Sequence, residues 1–362
     1  VTTNEVVPLE LGWFLPSAGD ATRLADIDSF EPPSLGQFDR VVAAAEAARF
    51  EYLLVPINTE CWEAWITASM MVARSNHIRM LVAARPGHIS PFLVAKMVTT
   101  FDQLSGGRIS VNLIAGQSEA ENRAEGVQDP KEQRYERMRE EIAIMKRLWT
   151  ATGPVHHEGA FHRLDGARVL PRPHQRPHPR VYLGGGSTQA WSISAQHADV
   201  HLFWGDTYER IASNIARLRE LAATFERPTP LRFGMRLQVV CRDTEADAWA
   251  AADHLVSTVT PAHTERLRAV VASSEANRRV QELAAQDRIE DNLWTGISRV
   301  RPGAGIAVVG DPAQCAAVLQ RFIDLGCDSF CLSGYPHDTE ALRFARDVRP
   351  LLVARNPGRL AP

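Results

Sequence analysis

Residues 180–206 read RVYLGGGSTQAWSISAQHADVHLFWGD, and this stretch decides how the chain folds. An apolar, β-rich run from Arg180 ends in glycines, a segment with three-to-four-residue apolar spacing follows over 187–198, and a second run, DVHLFWG, starts at Asp199. Runs apolar on both faces suit strands covered above and below, and the helical segment between them returns the chain to lay down a parallel neighbour. The stretch is therefore one β-α unit followed by the next strand.

Outward from it the same alternation recurs. Upstream lie LELGWFLP from Leu9, YLLVPI from Tyr52, RMLVAARPG from Arg79 and SVNLIAG from Ser110; downstream lie FGMRLQVVC from Phe233 and SFCLSGYP from Ser329, which makes eight runs. Helical spacing fills 34–50, 61–75, 90–105, 131–150 and 207–226, then a longer region from Glu245 and a last one from Asp338 to about Arg355. Ser90-Pro91 and Asp311-Pro312 each place an N-cap before a proline at the first helical position. Eight such units predict an α/β fold of the closed (β/α)8 TIM-barrel type in preference to an open doubly wound sheet. A length of 362 residues would also allow two domains. The unit count favours one barrel over 1–362, with insertions at about 151–180 and, between strands seven and eight, at about 243–310. The first is rich in proline and histidine; the second ends in NLWTGISRVRPGAG, a glycine-rich arginine loop. Loops this long are usually functional.

Composition narrows the function. Forty Lys plus Arg against 43 Asp plus Glu give a net charge of −3, with the basic residues scattered, so nothing matches a phosphate backbone or an anionic membrane. No run approaches the roughly 20 apolar residues that span a bilayer. The opening VTTNEVVPLELGWF has neither the basic start nor the apolar core of a signal peptide, and a cytoplasmic protein is expected. The five cysteines, at 61, 241, 315, 327 and 331, are odd in number and lack CxxC spacing, which argues against a disulfide framework and a zinc site. His156, His157, His162, His174 and His178 show no ligand spacing and are expected at the surface, so no metal is predicted.

In a parallel barrel the chemistry sits at the C-terminal strand ends. Polar residues there are Arg85, Asn112, Gln117, Gly184 to Ser187, Trp204, Arg236, Gln238, Tyr335 and His337. LGGGST can cradle an anion on backbone N–H groups at a helix start; a plain tight corner would use the same residues, but phosphate sites recur after late barrel strands. Cys61 in INTECWEAW opens the second helical segment, where the helix dipole would lower its pKa; a partly buried structural cysteine is the other reading. Trp62 and Trp204 stand at strand ends and read equally as core or as binding residues.

Taken together, GWFLPSAGD, CWEAW, LVAARPGHISP, FDQLSGGR, ERMREEIAIMKRLW, YLGGGS, LFWGD, FGMRL, NLWTG, RPGAG and DSFCLSGYPH resemble the bacterial-luciferase-like flavin monooxygenases, in particular the two-component alkanesulfonate branch. The resemblance implies reduced FMN (FMNH2) bound non-covalently, supplied by a separate NAD(P)H-dependent flavin reductase and reacting with O2 as co-substrate. It further implies oxidation of a carbon bearing a sulfonate, with release of sulfite and an aldehyde, and at least a homodimer. By motif, Cys61, Tyr335 and Arg236 take the family's active-site positions, Trp204 and His337 its substrate pocket, and Arg301 its lid, with Arg299 beside it as a second anion partner. Asn112, Tyr135, Gly185, Gly186 and Ser187 fall where the family holds flavin and phosphate. A sulfonate is ionised at any physiological pH, so arginines suit it better than a titrating base.

Two positions depart from the pattern. Gln238 stands where the alkanesulfonate enzymes carry a histidine, and GQSEAEN replaces their acidic pattern after strand four. An amide there suggests that Gln238 reads a hydroxyl, which points to a hydroxylated sulfonate such as sulfoquinovose, with simple alkanesulfonates or methanesulfonate as the alternative. Luciferase-like barrels also include F420-dependent reductases and non-catalytic flavin binders; Cys61, Arg236, Arg301 and Tyr335 together argue against both.

Overall fold

The computed structural model describes residues 7–116, 119–271 and 274–361. Eight parallel strands close into a barrel: β1 (Glu10–Phe14), β2 (Tyr52–Val55), β3 (Arg79–Ala84), β4 (Ile109–Leu113), β5 (Val181–Gly184), β6 (Val200–Trp204), β7 (Arg232–Cys241) and β8 (Cys327–Ser333). Each of the eight apolar runs forms one of these strands. Every strand pairs with its chain neighbour, and β8 against β1 closes the ring. The (β/α)8 expectation is met.

Alternation along the strands divides the core in two. Leu11 and Trp13 of β1, and Phe233, Met235 and Leu237 of β7, face outward into the layer between barrel and helices. Phe14, Tyr52, Leu54, Leu81, Tyr182, Val200, Leu202 and Cys331 fill the barrel interior. Period-two alternation then puts Arg236 and Gln238, two and four residues from Gly234, on the inward face.

Helix boundaries follow the capping residues. Ser90 caps Pro91–Ser105, and Asp311 caps Pro312–Asp324 in a reciprocal capping box with Gln314. The second helix starts later than its spacing suggested. Glu63 caps Ala64–Val72, accepting from the backbone N–H groups of Trp65 and Ile66, so Cys61 lies in the preceding bend.

Both insertions carry more structure than loops. The 151–180 excursion holds an antiparallel hairpin, Val155–Glu158 with Arg163–Ala167. Its His157 and His162 are not free at the surface: they pair with Glu140 and Glu141 of the helix Lys131–Thr150, each at 2.9 Å. The larger insertion supplies three helices, Glu245–Leu255, Pro261–Val271 and Glu275–Leu283, and then a strand, Ala307–Gly310, that extends β7 by pairing with Gln238–Cys241. The glycine-rich arginine loop expected over 292–305 is anchored, because Leu293, Trp294, Ile297 and Ser298 are buried and Leu293 and Trp294 pair with that strand. No helix among the described residues is long and apolar enough to cross a membrane.

Candidate active site

The mouth of the barrel is built around the ring of Phe14, the last residue of β1. Arg236, in register with Trp204 of β6 and Cys331 of β8, brings its guanidinium to 4.7 Å from that ring's centre. Arg301 stands 5.2 Å from the same ring and 5.9 Å from the Tyr335 ring. Such contacts stabilise a cation without neutralising it. Arg236 is buried and donates to the carbonyls of Leu237 (2.8 Å) and Cys331 (3.4 Å) and to the Ser333 hydroxyl (2.9 Å). Burial pulls its pKa down and the like charge of Arg301 adds to that. Among the described residues no carboxylate forms an ion pair with either guanidinium.

Around this pair stand the other expected residues. Burial pushes the Tyr335 phenol up, against the opposing pull of the Arg301 charge. Cys61 sits near Ser17 and Arg301, and burial pushes its thiol up as well. The dipole-lowered thiol suggested by its sequence position is thus corrected: the helix starts three residues later and desolvation dominates. His337 is buried, its ring 5.0 Å from Tyr335 and 5.8 Å from Phe14. Its Nδ1 lies 2.9 Å from a carboxylate oxygen of Asp20. The structure therefore brings Arg236, Arg301, Tyr335, Cys61 and His337 together.

Two expected substrate contacts take different places. Gln238 is wholly buried; its Nε2 donates to the Ala304 carbonyl at 3.2 Å, and its Oε1 accepts from the Ser333 hydroxyl. With one protein hydrogen bond at each end of its amide, Gln238 braces Ser333, which in turn holds Arg236, so its contacts in the structure are with the protein. Arg299 pairs with Asp287 at 2.7 Å, inside its own insertion, and is not drawn into the cluster. Arg85 is likewise committed, to Glu121 at 2.7 Å and to Glu125. Gln117 lies outside the described residues.

Beside the arginine cluster a cleft is lined by Asn112, Tyr135, Gly185, Gly186, Ser187 and Trp204. Gly185 has φ +126°, and a Cβ there would come within 3.0 Å of Ala190, so the turn requires glycine. Ser187 caps the helix Thr188–His197, leaving its first N–H groups at the cleft. Asn112 Oδ1 is buried without a partner, a group that a polar ligand can satisfy. Sequence reasoning missed Lys131 and Arg134, which also line the cleft. The available signal was the spacing from Lys131, with Arg134 and Tyr135 following at three and four residues along one helix, which sets both beside it. The start of the helix Glu275–Leu283 borders the opposite side, where Glu275 meets Lys131 at 3.3 Å. Backbone N–H groups, two cations and an orphaned amide oxygen together fit a phosphorylated, polar cofactor.

The family model of luciferase-like monooxygenases matches residues 9–329. The chain belongs to this family. Solved structures with the same fold include EDTA monooxygenase (EmoA) from Chelativorans sp. BNC1, at 18% identity and TM-score 0.77, covering 96% of this chain and 94% of that one. DmoA from Hyphomicrobium sulfonivorans matches at 18% identity and TM-score 0.79, over 98% and 89%. Riboflavin lyase (RcaE), solved with modified FMN and riboflavin, matches at 18% identity and TM-score 0.79, over 98% and 93%. At this identity the likeness shows a shared luciferase-like barrel, and substrate choice must be argued from the mouth residues.

Proposed function

We propose that this luciferase-like monooxygenase cleaves the C–S bond of an organosulfonate, using reduced FMN and O2 and releasing sulfite and an aldehyde. The observation that carries the reading is the pair Arg236 and Arg301, gathered on Phe14 with no carboxylate partner among the described residues. A buried guanidinium beside a second, half-buried one, with no counter-ion for either, is costly unless a ligand supplies one, and a permanently ionised sulfonate does so at every physiological pH.

The cleft supports FMN as the flavin. Gly185, Gly186, Ser187, Lys131 and Arg134 would hold its phosphate, with Asn112, Tyr135 and Trp204 toward the rest of the molecule. Bound there, the reduced flavin supplies the activation of O2. A mononucleotide is favoured because the sequence offers one phosphate turn and no GxGxxG fingerprint. The partner implied is an NAD(P)H-dependent flavin reductase. We take the enzyme to be at least a homodimer, consistent with Ile66 and Met70 exposed one turn apart on the helix Ala64–Val72.

Sulfoquinovose remains the first substrate to try. With Gln238 held by the protein, a neutral group that could read a hydroxyl is Ser17, whose Oγ is buried beside the Cys61 thiol. The test supplies the protein with FMN, NAD(P)H and a flavin reductase, and measures sulfite over a panel of sulfoquinovose, alkanesulfonates and methanesulfonate. Sulfite from at least one of them is expected. Turnover with NADPH alone, or with reduced F420 and no sulfite, would overturn the reading.

A further inference from the structure

Oxygenation of a carbon that bears a sulfonate gives an α-hydroxysulfonate, which must lose its hydroxyl proton before sulfite can leave. This step rests on the sulfonate reading above, and it needs a base. Most groups at the mouth do not qualify. Arg236 and Arg301 stay protonated. Burial keeps the proton on Tyr335 and on Cys61. Gln238 has nothing to titrate.

His337 differs because of Asp20. This carboxylate, which opens the short strand Asp20–Ala21 after β1, is buried and accepts the backbone N–H of His337 at 2.7 Å and that of Ala21 at 2.8 Å. Its Oδ1 also lies 2.9 Å from His337 Nδ1. Burial alone would raise the Asp20 carboxyl, but its close contacts with the His337 ring and backbone outweigh burial and hold it below its ordinary range. An ionised carboxylate only accepts, so Nδ1 carries a hydrogen toward Asp20, and Nε2 is the ring nitrogen left to exchange a proton. That Nε2 is buried without a partner, on a ring only 1% exposed. A buried ring nitrogen with no partner is rare enough to need an explanation. The ring's contacts with Phe14 and Tyr335 place it against the residues that carry both guanidiniums.

We propose that His337, held in one tautomer by Asp20, is the base that collapses the α-hydroxysulfonate to aldehyde and sulfite. The O–H bond breaks and its electron pair becomes the second bond of the carbonyl. The C–S bond breaks and its pair leaves on sulfur. The proton rests on Nε2, and the imidazolium so formed faces the Asp20 carboxylate. Charge on the departing group doubles from sulfonate to sulfite, so the unpaired Arg236 and Arg301 stabilise the later stage more than the earlier one. No oxidant is consumed in this step. His337 is the catalytic residue and Asp20 the positioning residue.

Because the step needs neither flavin nor O2, it can be tested on its own. The formaldehyde–bisulfite adduct, a minimal α-hydroxysulfonate, is added to the full-length protein near neutral pH, and sulfite release is compared with buffer alone. Saturable acceleration is expected, with a loss of about 100-fold in His337→Gln and partial recovery of His337→Ala by added imidazole. Nitrogen-15 NMR of the histidines should show His337 protonated at Nδ1 in the wild type and shifted toward Nε2 in Asp20→Asn. If Asp20 merely ties the β1 loop to the start of the helix His337–Asp347, Asp20→Asn would lower stability and leave both readouts unchanged. A wild type no faster than buffer, a His337→Gln variant as fast as the wild type, or a wild-type proton on Nε2 overturns the proposal. Sulfite from an intact sulfonate that persists in His337→Gln would remove this base and leave the sulfonate reading standing. No sulfite from any sulfonate would remove that reading, while the adduct assay still decides the base.

Discussion

The two ends of the barrel interior use arginine in opposite ways. At the base, Glu10 of β1 is ringed by Arg79 (2.9 Å), Arg180 and Arg232 (3.6 Å), and accepts from the Tyr182 hydroxyl at 3.0 Å. Arg232 adds a pair with Asp328 at 3.0 Å. At the mouth, Arg236 and Arg301 meet an aromatic ring and backbone carbonyls, and no carboxylate among the described residues. Arg232 and Arg236 lie four residues apart on one strand, facing the same way. What separates a structural arginine from a ligand-binding one here is whether the fold has already supplied its counter-ion.

The contrast can be broken first at the base. Glu10→Ala takes the carboxylate from Arg79 and Arg180 and leaves Arg232 with Asp328 alone, and should cost about 3–5 kcal/mol in urea unfolding while leaving sulfonate affinity unchanged. At the mouth the trade is reversed: Arg236→Met should lower kcat/KM by an amount equivalent to about 2–5 kcal/mol, with stability equal to or above the wild type. A parallel loss of stability in Arg236→Met would mean that the mouth arginine is structural too.

Acid sharpens the same comparison. Burial would raise the Glu10 carboxyl, but its three arginines hold it at about 2 against an ordinary 4.5. A depressed carboxylate contributes stability above its unfolded pKa and loses it as pH falls through the folded one. Roughly 3 kcal/mol should therefore disappear between about pH 4.5 and 2, and Glu10→Gln should flatten that limb of the pH–stability curve. The smallest effect expected is at the brace. Gln238→Leu leaves the Ser333 hydroxyl hydrogen without its acceptor and the Ala304 carbonyl without its donor, for about 1–2 kcal/mol of stability and roughly tenfold in kcat/KM. That loss should be equal for hydroxylated and plain sulfonates; a change in their ratio would restore Gln238 as a specificity residue.

Much of the barrel was legible because strand burial writes itself as period and composition. The eight runs, the two Pro-marked helix starts and the Gly184–Ser187 turn each state a local rule that the fold obeys. The cluster of Cys61, Arg236, Arg301, Tyr335 and His337 was legible through motif resemblance, since residues so far apart share no spacing. What escaped depends on who already holds a side chain. Gln238 and Arg299 are suitable types at suitable strand and loop positions, but Ser333 with Ala304 and Asp287 engage them first. Asp20 escaped for the converse reason: an unremarkable carboxylate in a two-residue strand gains meaning only through a partner 317 residues away. The hairpin at Val155–Glu158 and Arg163–Ala167 was hidden by its prolines and histidines, which read as loop.

The central claim is that the unpaired arginines at the mouth form a receptor for a permanently charged headgroup. Calorimetric titration under anaerobic conditions, with reduced FMN bound, measures it directly by comparing a sulfonate with its uncharged sulfonamide of the same carbon skeleton. The sulfonate should bind to the wild type at least about 30-fold more tightly than the sulfonamide, the equivalent of about 2 kcal/mol, and Arg236→Met should erase most of that difference. Equal affinity for the two ligands in the wild type would contradict the account.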